Sequence, residues 1–185
     1  MKIRHLDWNE CIAFLGRAFY FPNKELVVSL QGQKEFLQKT GHLELWQWLK
    51  RFPEVKDLLS VLEKEHDRLF SLQRATPCVS IYANTYQADI SMSELQILLT
   101  NEYLKYDYDV AAGVGLRPDH IAVILDFAAD LYSLDATAFA RFVENQINTW
   151  IQAFCHKVQQ ATKSPFYLTC ADLVLQCSAD NSRVN

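Results

Sequence analysis

The stretch Gly115-Leu116-Arg117-Pro118-Asp119-His120-Ile121-Ala122-Val123-Ile124-Leu125-Asp126-Phe127 joins a helix start to an apolar helical face, and it adds a polar pair that the start does not require. Pro118 suits a first helical turn, where its missing N–H would have had no intrahelical partner, and Asp119 favours the positive end of the helix dipole. Ile121, Ile124, Leu125, Ala128 and Leu131 then recur at helical spacing. His120 is not accounted for in this way. An imidazole in the first turn is disfavoured when protonated, so it is either held by a structural hydrogen bond or in contact with a ligand.

The same periodicity continues toward the C-terminus. Asp135 is placed to cap one long helix carrying Phe139, Phe142, Val143, Ile147, Trp150, Ile151, Phe154 and Val158. Ser164-Pro165 starts a last helix with Leu168, Leu173, Val174 and Cys177, and the tail 179–185, which loses the apolar period, is expected to fray.

Toward the N-terminus, Asp107 to Gly115 reads as a flexible connector, preceded by a helix through Leu95, Leu98, Leu99, Tyr103 and Tyr106 that a Ser91/Glu94 capping box opens. Gln73 to Asn84, with Pro77, Val79 and Ile81, reads as a loop or short extended piece. From Pro53, the residues Val55, Leu58, Leu59, Leu62, Leu69 and Phe70 trace one helical face, with charges mostly on the other. Leu43, Leu45, Trp46, Trp48 and Leu49 are too dense for one stripe, which predicts burial on more than one side. Asn23 caps a short helix with Leu26, Val27 and Leu30, while Gly32 and Gly41 bracket another with Phe36 and Leu37. Asp7 and Glu10 read as a capping box for a first helix bearing Cys11, Phe14, Leu15, Ala18 and Phe19, which stops before Pro22. No segment alternates as a strand does, so the fold class is all-α: a single compact helical bundle, one domain over 1–185 with a possible hinge near 107–117.

With 185 residues, half of them apolar, the chain can bury roughly 70% of its unfolded surface without a disulfide or metal. A net charge of −4 with scattered Lys and Arg argues against nucleic acid as a partner. Five cysteines, Cys11, Cys78, Cys155, Cys170 and Cys177, with no Cys-x-x-Cys, are expected as reduced, buried thiols. The N-terminal residues lack an apolar signal core and no apolar run reaches membrane-spanning length, which predicts a cytoplasmic protein that does not insert into a membrane.

Chemical motifs are sparse. Gly113-Val114-Gly115 follows no strand, and Pro118 stands where the dinucleotide fingerprint needs its third glycine, so a turn is the simpler reading. Asp119 and His120, as neighbours in sequence, diverge by about 100° around a helix and cannot orient one another as a catalytic pair does, although both can address one ligand. Neither Asp119-His120 nor Cys155-His156 has a complementary pair of ligands for a metal. No catalytic residue, metal or cofactor is therefore assigned. Tyr82, Tyr86, Tyr103, Tyr106 and Tyr108 concentrate in the loop-rich middle, as core or as an amphipathic peptide-binding surface, with core the simpler reading for most.

Taken together, Arg68-Leu69-Phe70, Pro77 with Ser80-Ile81-Tyr82, and above all Pro118-Asp119-His120-Ile121 with Leu125-Asp126-Phe127 resemble the TorD/DmsD/NarJ family of redox-enzyme maturation chaperones. The resemblance runs from the first helix to Phe166-Tyr167. It implies a TorD-like all-helical bundle in the cytoplasm whose partner is the twin-arginine signal peptide, or the apo-form, of a molybdoenzyme subunit. It also implies a peptide-binding site at Leu69, Phe70, Pro77, Cys78, Asp119 and His120. Asp119 would attract a client arginine, while Leu69 and Phe70 would hold the apolar part of the signal sequence.

Four departures from the family pattern bear on the client: Arg117 replaces an acidic residue before the proline, Ile124 a Glu, Ser71-Leu72 a Gly-Pro, and Cys78 an aromatic found in some members. Arg117 is also close enough to Asp119 to neutralise part of its charge. Two other readings remain open from the residues alone. One is a small helical hydrolase or nucleotide-handling enzyme using His120 as base, and the other a helical scaffold in which Asp119 and His120 merely stabilise a helix. A monomer and a dimer that exchanges helices about the hinge both fit the sequence.

Overall fold

Ile121 to Leu134 form the helix that the central stretch predicts, and every other element can be placed from it. In the computed structural model, residues 8–71, 77–110 and 115–181 are described. Among them are ten helices and no strand, so the chain is all-α. The helices are α1 (Trp8–Ala18), α2 (Lys24–Gln31), α3 (Lys34–Lys39), α4 (Leu43–Leu49), α5 (Val55–Phe70), α6 (Met92–Leu104), α7 (Ile121–Leu134), α8 (Ala136–Phe142), α9 (Ile151–Ala161) and α10 (Pro165–Asn181). A 3-10 turn spans Ala83–Tyr86, and a π segment spans Val143–Ile147.

The deepest layer is α7 against α1. Eight of the fourteen α7 residues are buried, so its apolar surface extends well beyond one stripe and has to be covered on several sides. Close approach of the two helices depends on Gly16: a Cβ there would stand 2.1 Å from Asp126 Oδ1. α10 packs on α9, α1 and α4, while α2 lies on α5 and α3 on α4. Aromatic rings from several elements lock together at the centre, where Phe19 meets Phe70 and Phe154 edge-on at 6.3 and 5.4 Å.

The predicted caps form as expected. Asn23 Oδ1 accepts from the Leu26 N–H, Asp135 Oδ1 from the Thr137 and Ala138 N–H groups, and the Ser91/Glu94 box closes in both directions. Gly41, in the left-handed region at φ 83°, ends the turn after α3. The Asp7/Glu10 box and the Gly113-Val114 pair lie outside the described residues or side chains.

Several expectations need correction. The long helix after Asp135 is broken: the Asn148 N–H donates to the Val143 carbonyl in an i→i+5 bond, and Trp150 leaves helical geometry before α9 begins. The extra residue in the π turn is stabilised where Trp150 Nε1 donates to the Gln146 carbonyl at 2.6 Å. α6 ends at Leu104, so Tyr106 lies beyond it, and Leu98 faces outward. In α4 only Leu45 and Leu49 are buried. Trp46 and Trp48 are half-buried and Leu43 is exposed, because one face suffices to cover α10. Four cysteines are buried, but Cys78 is exposed, since its segment runs along the surface. α10 continues to Asn181, three residues into the tail expected to fray.

Candidate functional site

Pro118 sets the geometry of the site by fixing a turn in which the His120 N–H donates to the Arg117 carbonyl at 3.0 Å. Pro118 and Asp119 therefore precede α7 rather than forming its first turn, and His120 is the N-cap. The imidazole does what a capping carboxylate would do, with Nδ1 accepting from the Ala122 N–H at 3.1 Å. That role requires a neutral ring. Burial, reinforced by nearby His66 and Arg117, pushes the His120 pKa down to about 4. Tyr20 stacks on the ring and Tyr82 meets it edge-on, at 6.2 and 5.5 Å between centroids.

Asp119 is fully buried and held by both oxygens: Arg117 Nε donates to Oδ1 at 2.9 Å and Nη2 to Oδ2 at 2.6 Å. The same guanidinium donates to Asn84 Oδ1 at 2.9 Å and lies 4.1 Å over the Tyr82 ring. Gln96 on α6 is a weaker donor to Asp119 Oδ1 at 3.4 Å. Backbone bonds fasten the turn to the preceding segment. The Ala83 N–H donates to the Asp119 carbonyl, the Ile121 N–H to the Ile81 carbonyl, and Tyr82 and His120 form an isolated bridge. The Tyr103 hydroxyl donates to the Pro118 carbonyl at 2.8 Å. Chemically, the arrangement is a desolvated carboxylate shaped for a bidentate guanidinium and backed by an aromatic face.

The six residues expected at the site do not share one accessibility. The segment carrying Pro77 and Cys78 connects them, for the Val79 N–H donates to the Leu69 carbonyl and Ile81 to Ala83 contact the Asp119 turn. Cys78 is exposed and Pro77 half-buried, whereas Leu69 and Phe70 are core residues, 0% and 3% exposed. Phe70 packs on Phe19, Phe154, Tyr167 and His66. Burial lowers the pKa of His66 itself, against a backbone hydrogen bond with Phe19 that raises it. Of the five tyrosines, Tyr103 is core and the others are half-buried. Asn84 and Gln96 had no signal in the sequence, because only folding brings them to Arg117 and Asp119.

With this geometry in place, the chain can be compared with known proteins. Its fold is that of a crystal structure described as a redox enzyme maturation protein from Archaeoglobus fulgidus, with a TM-score of 0.65 over 94% of each chain and 16% sequence identity. No curated protein sequence matches the chain. The profile of the nitrate reductase delta subunit family matches residues 36–156, most of the chain and all six candidate site residues. The chain belongs to that family, which comprises maturation chaperones rather than catalysts, in agreement with the resemblance read from the sequence. Among the described residues, no helix is long and apolar enough to cross a membrane.

Proposed function

We propose that this protein binds the twin-arginine signal peptide, or the apo-form, of a molybdenum-cofactor oxidoreductase subunit in the cytoplasm. It holds that client until the cofactor is in place and catalyses no reaction itself. The observation that carries this reading is the buried Asp119 carboxylate gripping a guanidinium through both oxygens in a member of this chaperone family. A client arginine offers the same fork and takes the place of Arg117, whose side chain is 34% exposed and can turn to water. Exchanging one guanidinium for another keeps Asp119 paired, which avoids the several kcal/mol penalty of an uncompensated buried charge. On this reading His120, beside the ion pair, and Pro77 and Cys78, on the segment that joins the Leu69 carbonyl to the Asp119 turn, belong to the peptide-binding site, while Leu69 and Phe70 serve it from the core.

The test is calorimetric titration with signal peptides carrying paired arginines, each against a control with lysines in their place. Saturable, arginine-dependent binding is expected, weakened about tenfold or more in Asp119→Asn and strengthened in Arg117→Gln, which vacates the carboxylate. Equal binding of the lysine controls, or unchanged affinity in Asp119→Asn, would sink the proposal. On the same reading the chain acts as one domain, either as a monomer or as a dimer exchanging helices about residues 107–117. Light scattering across a concentration series distinguishes the two.

A further inference from the structure

α10 carries two faces of different character. Phe166, Tyr167, Cys170 and Val174 point into the core, whereas Pro165, Leu168, Asp172 and Gln176 line a groove that α3, α4 and the Gln159 side of α9 complete. Its volume, about 1250 Å3, exceeds the roughly 300–1,000 Å3 typical of a small-molecule pocket, so it suits an extended polymer segment. Leu168 and Pro165, above the buried Leu45, give it an apolar floor.

The polar groups on its walls are mostly acceptors. Glu35 and Glu44 stand on one side and Asp172 on the other, against Lys39, so three carboxylates face one ammonium among the described lining residues. Asp172 is held in place where Gln159 Nε2 donates to it at 2.6 Å, and it remains 49% exposed toward the groove. His42, 4.0 Å from Asp172, has its pKa lowered by burial, so at neutral pH it adds little positive charge. Gln176 lines the same wall, half-buried. Beyond Pro165, Lys64 and Lys163 line the adjoining pocket beside the Glu65–Arg68 ion pair, a net positive surface that disfavours a cation past the groove's end.

We propose that this groove is a second polypeptide-binding site, separate from the Asp119 ion pair, which takes a basic, otherwise apolar stretch of a partner chain. Apolar side chains of the partner lie on Leu168 and Pro165, while its arginines or lysines pair with Glu35, Glu44 and Asp172. The site does not depend on the signal-peptide reading above.

The experiment is fluorescence anisotropy of the full chain with a labelled decapeptide of alternating leucine and arginine, and with a counterpart in which glutamate replaces arginine. Saturable binding of the basic peptide alone is expected, weakened about tenfold in the double variant Glu35→Lys/Glu44→Lys. Both residues are exposed, so the fold should survive, and circular dichroism checks it. The double variant Glu54→Lys/Asp57→Lys makes the same change of charge at the start of α5, outside the groove, and is expected to leave affinity within about twofold. The proposal is overturned if the two double variants weaken binding equally, if neither peptide saturates, or if only Asp119→Asn abolishes binding. The last outcome would place the peptide at the ion pair and leave the signal-peptide reading standing.

Discussion

His120 is an unusual helix cap, and its titration follows from that role. In the unfolded chain an imidazole ionises near pH 6.5, whereas in the folded protein burial holds it at about 4. Between those values the unfolded chain binds a proton that the folded chain refuses, so stability is lost as pH falls from 6.5 to 4 and no further below that. At about 1.36 kcal/mol per unit the whole effect is roughly 3 kcal/mol, with roughly 2 kcal/mol already lost at pH 5. His42 and His66, both lowered by burial, act in the same direction. His120→Asn keeps a capping acceptor that does not titrate. Chemical denaturation at pH 7 and pH 5 should therefore show a smaller loss in the variant than in the wild type, by roughly 2 kcal/mol. An unchanged difference would remove His120 from the account. In the sequence, Asp119 had a reason in the helix dipole and His120 had none. In the structure Arg117, two residues away, holds the carboxylate and His120 caps the helix, an outcome set by the turn at Pro118 rather than by propensity.

Among the elements, what was legible was local. The Ser91/Glu94 box, Asn23 and Asp135 all form because a cap needs only neighbours within three residues. The break between α8 and α9 was not legible, since Val143, Ile147, Ile151, Phe154 and Val158 keep helical spacing through it and all are buried. Periodicity reports which side is apolar; it does not report an i→i+5 bond. Nor did it report that Gly16 is where α1 and α7 come closest. A Cβ at that position meets Asp126 Oδ1 at 2.1 Å, Cγ at 3.0 Å and the backbone N at 3.2 Å. The carboxylate can swing aside, but the backbone of α7 cannot. Gly16→Ala should consequently cost about 1–3 kcal/mol by overpacking, even though alanine is the better helix former. The double variant Gly16→Ala/Asp126→Ala should recover only part of the coupling in a thermal-unfolding cycle, because the backbone contact persists. Full additivity would mean that the Asp126 side chain takes no part in the cost and the backbone contact carries all of it.

For the whole molecule, the sequence distinguished apolar from polar faces but not the core from a binding surface. Leu69 and Phe70 look alike as pocket or as core, and the structure places them in the core. The ion-pair site, by contrast, joins Arg117 and Asp119, whose closeness the sequence does show, to Asn84 and Gln96, whose separations of 33 and 23 residues from them leave no local signature. The same assembly predicts where the molecule is loosest. α10 is buried along most of its length, and α1 and α7 cover one another, so their amide hydrogen bonds open only when the core opens. α6 is different. It is anchored by Leu95, Leu99 and Tyr103 on one side, while Met92, Ile97, Leu98 and Leu104 are 46–64% exposed, and among the described residues no other helix packs extensively along it. Native-state hydrogen exchange should therefore show α10 and α7 exchanging near the global unfolding free energy and α6 opening roughly 2 kcal/mol or more below it. Because Gln96 and Tyr103 both tie α6 to the Asp119 turn, occupying the carboxylate with a client arginine should raise protection in α6 before any other helix. If α6 is as protected as α10 without a client, the ion-pair site is rigid, and an incoming arginine would have to displace Arg117 without help from that helix.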